Sequence, residues 1–454
     1  MTRQEAPVDP PVVLTIAGSD SGGGAGTQAD LKTIEACGGF GTSAITSVTA
    51  QNTTGVAGTH VLPTEEIDAQ CEAVCSDFDV AAVKTGMLAT TEVVELVTER
   101  VRETDAPAVV DPVMVAASGD RLLASEAEAA YEDLVAEATL VTPNADEAAV
   151  LTGVDPDSEA EAREAGEALV EMGADTALVK GGHIPGDDVV DVLVTGDSVE
   201  TFRHPRVETD ATHGSGCTLS SAVATRLAQG DDIADAVGAG IDLLGRAVRY
   251  NLDVGEGPGA VHHAVELRDR AARDDTAEAV AGVVQSLVDR NVAPLVPEVG
   301  TNVAGATPYA ERPGETAAVE GRIARTLSGV APTRGVRFGA STHVARLLLA
   351  AREHDADLRY ALNVRHDDAV ADALTALDAP VVAFDPAEAP ADAAASAVEW
   401  GVADAFDAVD RTPAAVVDRG AYGNEPVAFV LSQTPDALVD RTLAVLDALD
   451  ADDE

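Results

Sequence analysis

Short runs of β-branched residues alternate with helical segments through the first part of this sequence, and each run stops at glycine or polar residues. Six runs have the length and composition of buried strands, namely residues 12–17, 41–50, 80–84, 108–111, 139–142 and 176–180. Alternation of this kind favours an α/β fold in which a central, mostly parallel sheet lies between helices. Open parallel sheets bind ligands at the carboxyl ends of their strands, so the residues that follow these runs should share one edge.

The residues at these strand ends include types that bind small molecules and phosphate. They are Gly18, Gln51, Met87, Asp111, Asn144, Glu147 and Lys180, and Cys217 follows on a later segment. Each has a structural explanation when taken alone: Asp111 could end a strand, Asn144 could cap a helix and Met87 could belong to the core. Their shared position at successive strand ends favours a single ligand-binding site.

The segment 212–220 (THGSGCTLS) joins a glycine-rich turn to an apolar helix predicted for residues 219–229. Backbone N–H groups and the positive end of the helix dipole should meet near Gly216 and Cys217, which predicts an anion site. A helix N-terminus also lowers the pKa of a cysteine from about 8.5 towards neutrality, so Cys217 is a candidate thiolate base. The alternative is a glycine-capped helix start in which Cys217 is a small buried residue.

A second glycine-rich turn, at residues 18–26, follows the first predicted strand and precedes a helix predicted for residues 27–36. It lacks the lysine of a nucleotide-binding P-loop, and its glycines have the wrong spacing for a dinucleotide fingerprint. We therefore expect a turn whose backbone approaches a small ligand closely, with Asp20 and Asp30 as polar side chains that could bind it.

The charge of the chain excludes several functions. The formal net charge is -50, from 79 acidic and 29 basic residues, which would repel nucleic acids and anionic membrane surfaces. An apolar fraction of 46% describes a folded protein, and the dispersed acids predict a halophilic protein that works in a high-salt cytoplasm. The only lysines are Lys32, Lys84 and Lys180, and we expect at least one of them to contact phosphate.

Cysteine usage and hydropathy predict the compartment. Cys37, Cys71, Cys75 and Cys217 form no paired framework, which is typical of a reducing environment. The sequence shows neither a signal peptide nor an apolar run near the roughly 20 residues of a membrane span. We expect a cytoplasmic protein with no membrane partner.

Eight motifs in the first part of the chain carry a family resemblance. They are LTIAGSD, GGAGTQADLK, AQNT, VKTGML, DPVM with SGDRLL, TPN with Glu147, VKGGH and THGSGCTLSSA. In order and spacing, residues 11–265 resemble the hydroxymethylpyrimidine and phosphomethylpyrimidine kinases of thiamine biosynthesis, which belong to the ribokinase-like superfamily. The resemblance implies a three-layer α/β/α fold and the use of ATP and Mg²⁺.

The resemblance also implies roles for individual residues. Those expected in the pyrimidine pocket are Gly18, Asp30, Gln51 and Met87. Those expected around Mg–ATP are Asp111, Asn144, Glu147, Lys180 and Thr212. Of these, Asp111 and Glu147 would bind the metal, and Lys180 would contact the transferring phosphate.

Cys217, with Gly214 and Gly216 beside it, would lie where most ribokinase relatives have a catalytic aspartate. It would take the proton of the substrate alcohol in a first phosphoryl transfer. A second transfer acts on a phosphate that is already anionic and needs no base. Pyridoxal phosphorylation is the alternative activity, because pyridoxal kinases belong to the same superfamily.

The strand pattern breaks at residues 255–259 (GEGPG), where we place a domain junction. Beyond it we predict an acid- and base-rich helix at 261–274, another helix at 276–290 and a strand that ends at 300–302. A glycine- and hydroxyl-rich turn at 338–343 should open a further helix, and Arg322, Arg325 and Arg337 stand near it in the sequence. These features predict a second anion site. The alternative is that the arginines form surface ion pairs and the turn caps the helix.

Residues 275–450 resemble the archaeal-type thiamine-phosphate synthase domain called ThiN. The motifs are PEVGTN, GRIAR, FGASTHVAR, LNVR and DRG with a later EP. The resemblance implies a smaller α/β domain that joins the pyrimidine pyrophosphate to thiazole phosphate, with Arg322 and His343 at the reacting phosphates. The presence of both residues favours catalysis over the alternative, a sensory domain that binds thiamine phosphate.

The predicted activities involve small-molecule substrates only. They are hydroxymethylpyrimidine, its phosphate and thiazole phosphate, and no nucleic acid is expected. We also expect the chain to form a homo-oligomer.

Overall fold

The chain divides into two units, Met1–Leu267 and Arg268–Glu454. The computed structural model describes residues 6–114, 129–184, 186–390, 397–420 and 425–452. The SGDRLL motif at 118–123 therefore lies outside the described residues.

The first unit alternates strands and helices. Its strands are β1 (Val12–Ala17), β2 (Phe40–Ile45), β3 (Ser47–Asn52), β4 (Gly55–Val61), β5 (Val80–Thr85), β6 (Ala108–Val110), β7 (Leu140–Val141), β8 (Thr176–Val179), β9 (Asp188–Thr195) and β10 (Val199–Pro205). Its helices are α1 (Gly26–Ala36), α2 (Thr64–Cys75), α3 (Thr91–Arg102), α4 (Tyr131–Val135), α5 (Ala145–Thr152), α6 (Glu159–Met172), α7 (Ser215–Ala228) and α8 (Ile233–Arg249). A ninth helix, α9 (Val265–Ala271), crosses the division between the units.

Eight of these strands form one sheet in the order β10-β9-β8-β7-β6-β5-β1-β2. Six of them, β8, β7, β6, β5, β1 and β2, pair in parallel. The other two, β9 and β10, form an antiparallel hairpin, and β9 pairs antiparallel with β8. The predicted mostly parallel sheet is confirmed.

Helices cover both faces of this sheet because both faces are apolar. Successive side chains of a strand point to opposite faces. Val13 of β1 packs in the same core as Ile34 of α1 and Val223 of α7, whereas its neighbour Leu14 shares the other core with Val97 of α3. The three layers of the implied α/β/α fold follow from this alternation.

The strand predicted for residues 41–50 is instead two strands that belong to different sheets. β2 ends at Ile45 in the large sheet, and β3 pairs with β4 in a separate antiparallel hairpin. The chain leaves the large sheet at the buried Thr46, whose hydroxyl donates to the Met87 carbonyl at 2.7 Å. The sequence of residues 41–50 does not indicate this break. Because of the break, Gln51 lies in the separate hairpin and not in the large sheet.

The second unit contains a mixed sheet of its own. Its strands are β11 (Val303–Ala306), β12 (Thr316–Val319), β13 (Ile323–Thr326), β14 (Gly329–Pro332), β15 (Val336–Phe338), β16 (Tyr360–Arg365), β17 (Val381–Phe384), β18 (Ala415–Asp418) and β19 (Val427–Ser432). Its helices are α10 (Arg273–Asp289), α11 (His343–His354), α12 (Asp368–Ala373), α13 (Ala397–Asp407) and α14 (Pro435–Asp452). Seven strands pair in the order β15-β12-β11-β16-β19-β18-β17, and only the pair β17 and β18 is parallel among the described strands.

Helices lie on both faces of this sheet as well. One core joins Val280 of α10 and Leu438 of α14 to the sheet, and the other joins Leu347 of α11 and Val402 of α13 to its opposite face. The smaller α/β domain that the sequence predicted is therefore present.

Several element boundaries differ from the predictions. The strand expected to end at residues 300–302 begins at Val303 instead, because the prolines at 294 and 297 keep the preceding segment in turns. The helix predicted for 261–274 is replaced by α9 and the first residues of α10. None of the helices in the described part of the chain combines the length and apolar character needed to span a bilayer.

Candidate active site

A cavity of about 610 Å³ opens at the carboxyl ends of the parallel strands in the first unit. The predicted site residues that line it are Gly18, Gln51, Met87, Asp111, Asn144, Glu147, Lys180, Thr212, Gly214, Gly216 and Cys217. The strand-end argument therefore brought together residues that are up to 199 positions apart in the chain, from Gly18 to Cys217. Asp30 is the predicted site residue of this unit that does not line the cavity.

Asp20 organises the glycine-rich turn that follows β1. Its carboxylate accepts hydrogen bonds from the backbone N–H groups of Gly22, Gly24 and Ala25 at 2.7 to 2.9 Å. Burial by itself would raise the pKa of Asp20, but these bonds and the nearby His213 bring it below the ordinary value. The turn is thus folded around an ionised carboxylate.

Close packing explains two of the glycines in this turn. A Cβ atom on Gly18 would lie 2.4 Å from Cε of Met87, and one on Gly26 would lie 2.4 Å from the Gly18 carbonyl oxygen. Gly26 also has a φ of +57°, which favours glycine. The backbone therefore forms part of the cavity wall beside Met87, as the sequence predicted.

His213 also lines the cavity, although the sequence did not predict it as a site residue. Its Nε2 atom lies 3.1 Å from Oδ2 of Asp20 and 3.3 Å from Nε2 of Gln51. Its position directly before Gly214, in the loop that leads to the same sheet edge, was the available signal.

Lys180 lies between two acidic residues at the ends of neighbouring strands. Its Nζ atom is 3.1 Å from Oδ1 of Asp111 and 3.9 Å from Oε2 of Glu147. Burial raises the pKa of Glu147 to about 7, Lys180 opposes that shift and Asp111 adds to it. Lys180 and Asp111 therefore act in opposite directions on the ionisation of the buried Glu147.

Asn144 fixes the position of Glu147 through a capping box at the start of α5. The Asn144 amide oxygen accepts from the Glu147 N–H at 2.9 Å, and the Glu147 carboxylate accepts from the Asn144 N–H at 2.9 Å. Reciprocal bonds of this kind satisfy two N–H groups that the helix leaves unpaired.

The oxygen atoms of this corner suit a magnesium ion. Mg²⁺ prefers oxygen ligands and is usually bound by one or two carboxylates together with substrate phosphates. Asp111 and Glu147 offer carboxylates on one wall of the cavity. The described residues contain no cluster of three or more His, Cys, Asp or Glu that could hold a metal ion.

The helix α7 begins at Ser215, four residues before the predicted start, with Gly214 as its N-cap at a φ of +84°. A Cβ atom on Gly216 would lie 3.3 Å from Oδ2 of Asp111 and 3.4 Å from Nζ of Lys180. Glycine therefore keeps open the space between the first turn of α7 and these charges. Ser215, Gly216 and Cys217 of this turn line the same cavity as Lys180, and a helix N-terminus at such a place suits an anion.

Cys217 lies in that first turn, close enough to the N–H of Gly26, the first residue of α1, for that group to act on its thiol. The prediction of a lowered thiol pKa is wrong for this structure. Burial raises the pKa of Cys217 to about 12, and the opposing effects of Lys84 and the Gly26 N–H are smaller. Desolvation of the thiolate outweighs the field of the helix.

The structure places Asp30 away from the cavity wall, in contrast to the expectation from the resemblance. It is fully buried and accepts hydrogen bonds from Lys84 at 2.8 Å, Ser221 at 2.9 Å and Thr15 at 2.6 Å. Lys84, its ion-pair partner, does line the cavity. A buried ammonium group needs a carboxylate, and Asp30 meets that need.

Apolar side chains line another part of the cavity. They include Met114, Val150, Val189, Leu244 and Val248. A planar base could pack among them, since small-molecule sites combine apolar walls with a few polar groups.

The candidate site of the second unit lies at the start of α11. Burial lowers the pKa of His343, Asp418 raises it and Arg322 lowers it further, so the three groups are close enough to interact. Ser341 and Thr301 are buried, and their hydroxyl oxygens have no hydrogen-bond partner among the described residues. Asp418, at the end of β18, was not predicted.

The other two arginines near this turn have structural partners. Arg325 donates to the carbonyl of Val296, and Arg337 lies 3.4 Å from Glu320 on the surface. The alternative of structural contacts therefore describes Arg325 and Arg337.

The fold and the cavity define a small-molecule kinase of the ribokinase-like class, with a second α/β unit attached. The sequence profile of phosphomethylpyrimidine kinase matches residues 20–262, and that of thiamine-phosphate synthase ThiN matches residues 279–444. The chain belongs to the phosphomethylpyrimidine kinase family and carries a ThiN domain. Both resemblances found in the sequence are confirmed.

Two curated relatives illustrate the kinase part and its fusions. A hydroxymethylpyrimidine/phosphomethylpyrimidine kinase of Streptomyces coelicolor is 51% identical over 58% of this chain and 98% of its own length. The thiamine biosynthesis bifunctional protein ThiED of Geobacter sulfurreducens is 44% identical over 59% of this chain and 56% of its own length.

Solved pyridoxal kinases share the fold of the first unit. The ADP complex of the Bacillus subtilis enzyme is 32% identical with a TM-score of 0.53, and covers 57% of this chain and all of its own. The Staphylococcus aureus enzyme in complex with AMP-PCP and pyridoxal is 30% identical with a TM-score of 0.54, over 57% of this chain and 96% of its own.

Proposed function

We propose that the first unit transfers the γ-phosphoryl group of ATP to 4-amino-5-hydroxymethyl-2-methylpyrimidine, and then phosphorylates the product to the pyrophosphate. The second unit joins that pyrophosphate to thiazole phosphate, which gives thiamine phosphate and pyrophosphate. The kinase proposal depends on one observation: Cys217, Lys180 and the first turn of α7 line the same cavity.

Lys180 and the N–H groups of α7 bind and orient the phosphoryl group. Phosphoryl transfer depends mostly on alignment and on neutralising the charge of the transferred group. Gly216 leaves the space for that group beside the Lys180 ammonium. Asn144, Thr212 and the apolar wall would hold the nucleotide. Asp111 and Glu147 would hold a Mg²⁺ ion, which would supply further neutralisation of phosphate charge.

Cys217 removes the proton in the first transfer. The alcohol proton moves to the Cys217 sulfur, the alcohol oxygen bonds to the γ-phosphorus, and the bond from that phosphorus to ADP breaks. Since burial favours the neutral thiol, the thiolate is a minor form at neutral pH, and the first transfer should speed up as the pH rises. The second transfer starts from an ionised phosphate and does not use the thiol.

The pyrimidine lies against Gly18, Gln51 and Met87. Gln51 and Met87 border the cavity on β3 and after β5. Their amide and thioether groups offer hydrogen bonds and apolar contact to one face and edge of a small ring.

Arg322 and His343 act in the second unit. Arg322 stabilises the departing pyrophosphate, and His343 assists its departure. A sensory role without turnover is the alternative for this unit. The full chain, supplied with the pyrimidine pyrophosphate and thiazole phosphate but no ATP, distinguishes them: formation of thiamine phosphate supports the synthase, and tight binding without product supports the sensor.

The kinase proposal is tested by incubating the full chain with ATP and the hydroxymethylpyrimidine, and following both phosphorylated products by ³¹P NMR. Pyridoxal is the second candidate substrate, because the solved kinases named above are 30% and 32% identical to this chain. Competition between the two alcohols decides which is preferred. A homo-oligomer, a cytoplasmic location and adaptation to high salt stay predictions.

A further inference from the structure

Gln51, His213 and Asp20 form a connected polar group on one wall of the cavity. All three line the cavity, and the side chain of Asp20 is only 2% exposed. The turn holds Gln51 by its backbone as well, because the Gln51 N–H donates to the hydroxyl of Ser21 at 2.8 Å. The mechanism proposed above uses Gln51 but gives His213 no role.

The contact with Asp20 determines which nitrogen of His213 carries a proton. An ionised carboxylate can only accept hydrogen bonds. The Asp20 carboxylate already accepts from the backbone of the turn, and His213 Nε2 lies 3.1 Å from its Oδ2. The Nε2 atom of His213 is therefore the protonated one.

A protonated Nε2 restricts the orientation of the Gln51 amide. The amide nitrogen faces His213 Nε2 at 3.3 Å, so two donors meet, while the amide oxygen lies 3.3 Å from Oγ1 of Thr49. The Thr49 hydroxyl donates its own hydrogen to the Ser19 carbonyl at 2.7 Å and can still accept. A half-turn of the amide removes this conflict, since its oxygen then shares the Nε2–H of His213 with Asp20 in a three-centre hydrogen bond, and its NH₂ donates to Thr49.

The histidine ring packs closely against the glycine-rich turn on one side. A Cβ atom on Gly24 would lie 2.6 Å from Cδ2 of His213. The ring is packed against the turn on this side and tied to Asp20 at its edge. Its Nε2–H group consequently points at a fixed place on the wall.

We propose that His213, held by Asp20, orients the Gln51 amide with its oxygen on the histidine side, and that this polarity selects an aminopyrimidine. After bonding to His213 and Thr49, the amide retains one oxygen lone pair and one N–H. These match an exocyclic amine and the adjacent ring nitrogen of an aminopyrimidine. The inference rests on the proposed contact between Gln51 and the substrate ring, and it makes His213 a positioning residue.

The matched probe is 5-hydroxymethyl-2-methylpyrimidine, which lacks only the amino group. Calorimetry on the full chain should show that the aminopyrimidine binds at least about a hundredfold more tightly than this analogue, because the amide oxygen loses its donor. His213→Ala should reduce that preference at least about tenfold. His213→Gln, whose amide N–H can reach Asp20 and Gln51, should restore most of it.

The control is His60→Ala, at an exposed position of β4, which should leave the preference unchanged. ¹⁵N NMR of the wild-type chain should show the proton of His213 on Nε2. An unchanged preference in a folded His213→Ala chain, or an Nε2 atom that carries no proton, overturns the proposal. If the wild-type chain binds the aminopyrimidine but phosphorylates neither candidate alcohol, the proposed kinase function fails while the binding preference still decides the role of His213.

Discussion

The ammonium group of Lys84 lies 2.8 Å from the carboxylate of Asp30, and neither side chain is exposed to solvent. Thr15, which pairs with Lys84 across β1 and β5, donates to the same carboxylate, and so does Ser221 of α7. Ser221 follows Cys217 by one helical turn, so the two share a face of α7. The buried ion pair therefore joins the sheet, α1 and α7 next to the proposed base.

Lys84→Met should destabilise the first unit strongly. It would leave Asp30 as a buried charge without a cation, and removal of one partner of a buried pair typically costs about 3–5 kcal/mol. Urea unfolding of the full chain measures the loss. The double variant Lys84→Met with Asp30→Leu should recover most of it, since both charges are gone. Equal stability of the wild type and the single variant would contradict the proposed dependence of Asp30 on Lys84.

Cys217→Ala should separate the two phosphoryl transfers. We expect kcat/KM for the hydroxymethylpyrimidine to fall about a hundredfold or more, the usual contribution of a general base, and kcat/KM for its phosphate to change little. In the wild type, the first step should accelerate as the pH rises from 7 to 9, because the pKa of Cys217 is raised to about 12. Cys75→Ala, at an exposed cysteine, is the control. Equal losses in both steps would remove Cys217 from the role of base.

Glu147 should make the stability of the first unit depend on pH. Its pKa is about 7 in the folded chain against 4.5 as the ordinary value, so the folded state binds the extra proton between these limits. Stability should therefore fall as the pH rises from 4.5 to 7, by up to about 3 kcal/mol. Glu147→Gln should flatten this fall in urea unfolding, whereas Glu171→Gln, at an exposed position, should not. Parallel pH profiles for the wild type and Glu147→Gln would count against the buried carboxyl.

Arg322→Ala should affect the second unit alone. Thiamine phosphate formation should fall about a hundredfold or more, because a guanidinium that stabilises pyrophosphate is lost, while both kinase steps keep their rates. Arg337→Ala is the matched control, since that side chain lies on the surface beside Glu320. Retained synthase activity in Arg322→Ala, with product measured by mass spectrometry, would remove Arg322 from the proposed role at the pyrophosphate.

The parts of the site that sequence predicted are those that depend on chain topology. Once strands alternate with helices, residues after successive strands must share an edge, and Asp111, Asn144 and Lys180 do so. The pKa of Cys217 could not be obtained in that way, because it depends on whether desolvation or the helix field is larger. That balance requires the burial of the sulfur, which only the folded chain gives.

The contacts between side chains that are distant in the sequence could not be predicted either. Asp30 follows the glycine-rich turn closely in the sequence, as a ligand-binding residue could. Nothing in the neighbouring sequence shows that its carboxylate binds Lys84, 54 positions away. The contact of His213 with Asp20 spans 193 positions in the same way. The break at Thr46 likewise depends on its bond to Met87, a residue from another strand end.

The backbone of Gly214 lies so near the glycine-rich turn that a Cβ atom on it would be 1.9 Å from the carbonyl oxygen of Gly24. The backbones of the two loops are therefore in direct contact, and the contact of His213 with Asp20 joins the same two loops. A movement of either loop would therefore displace the other, which would couple binding of the proposed acceptor to the position of the first turn of α7.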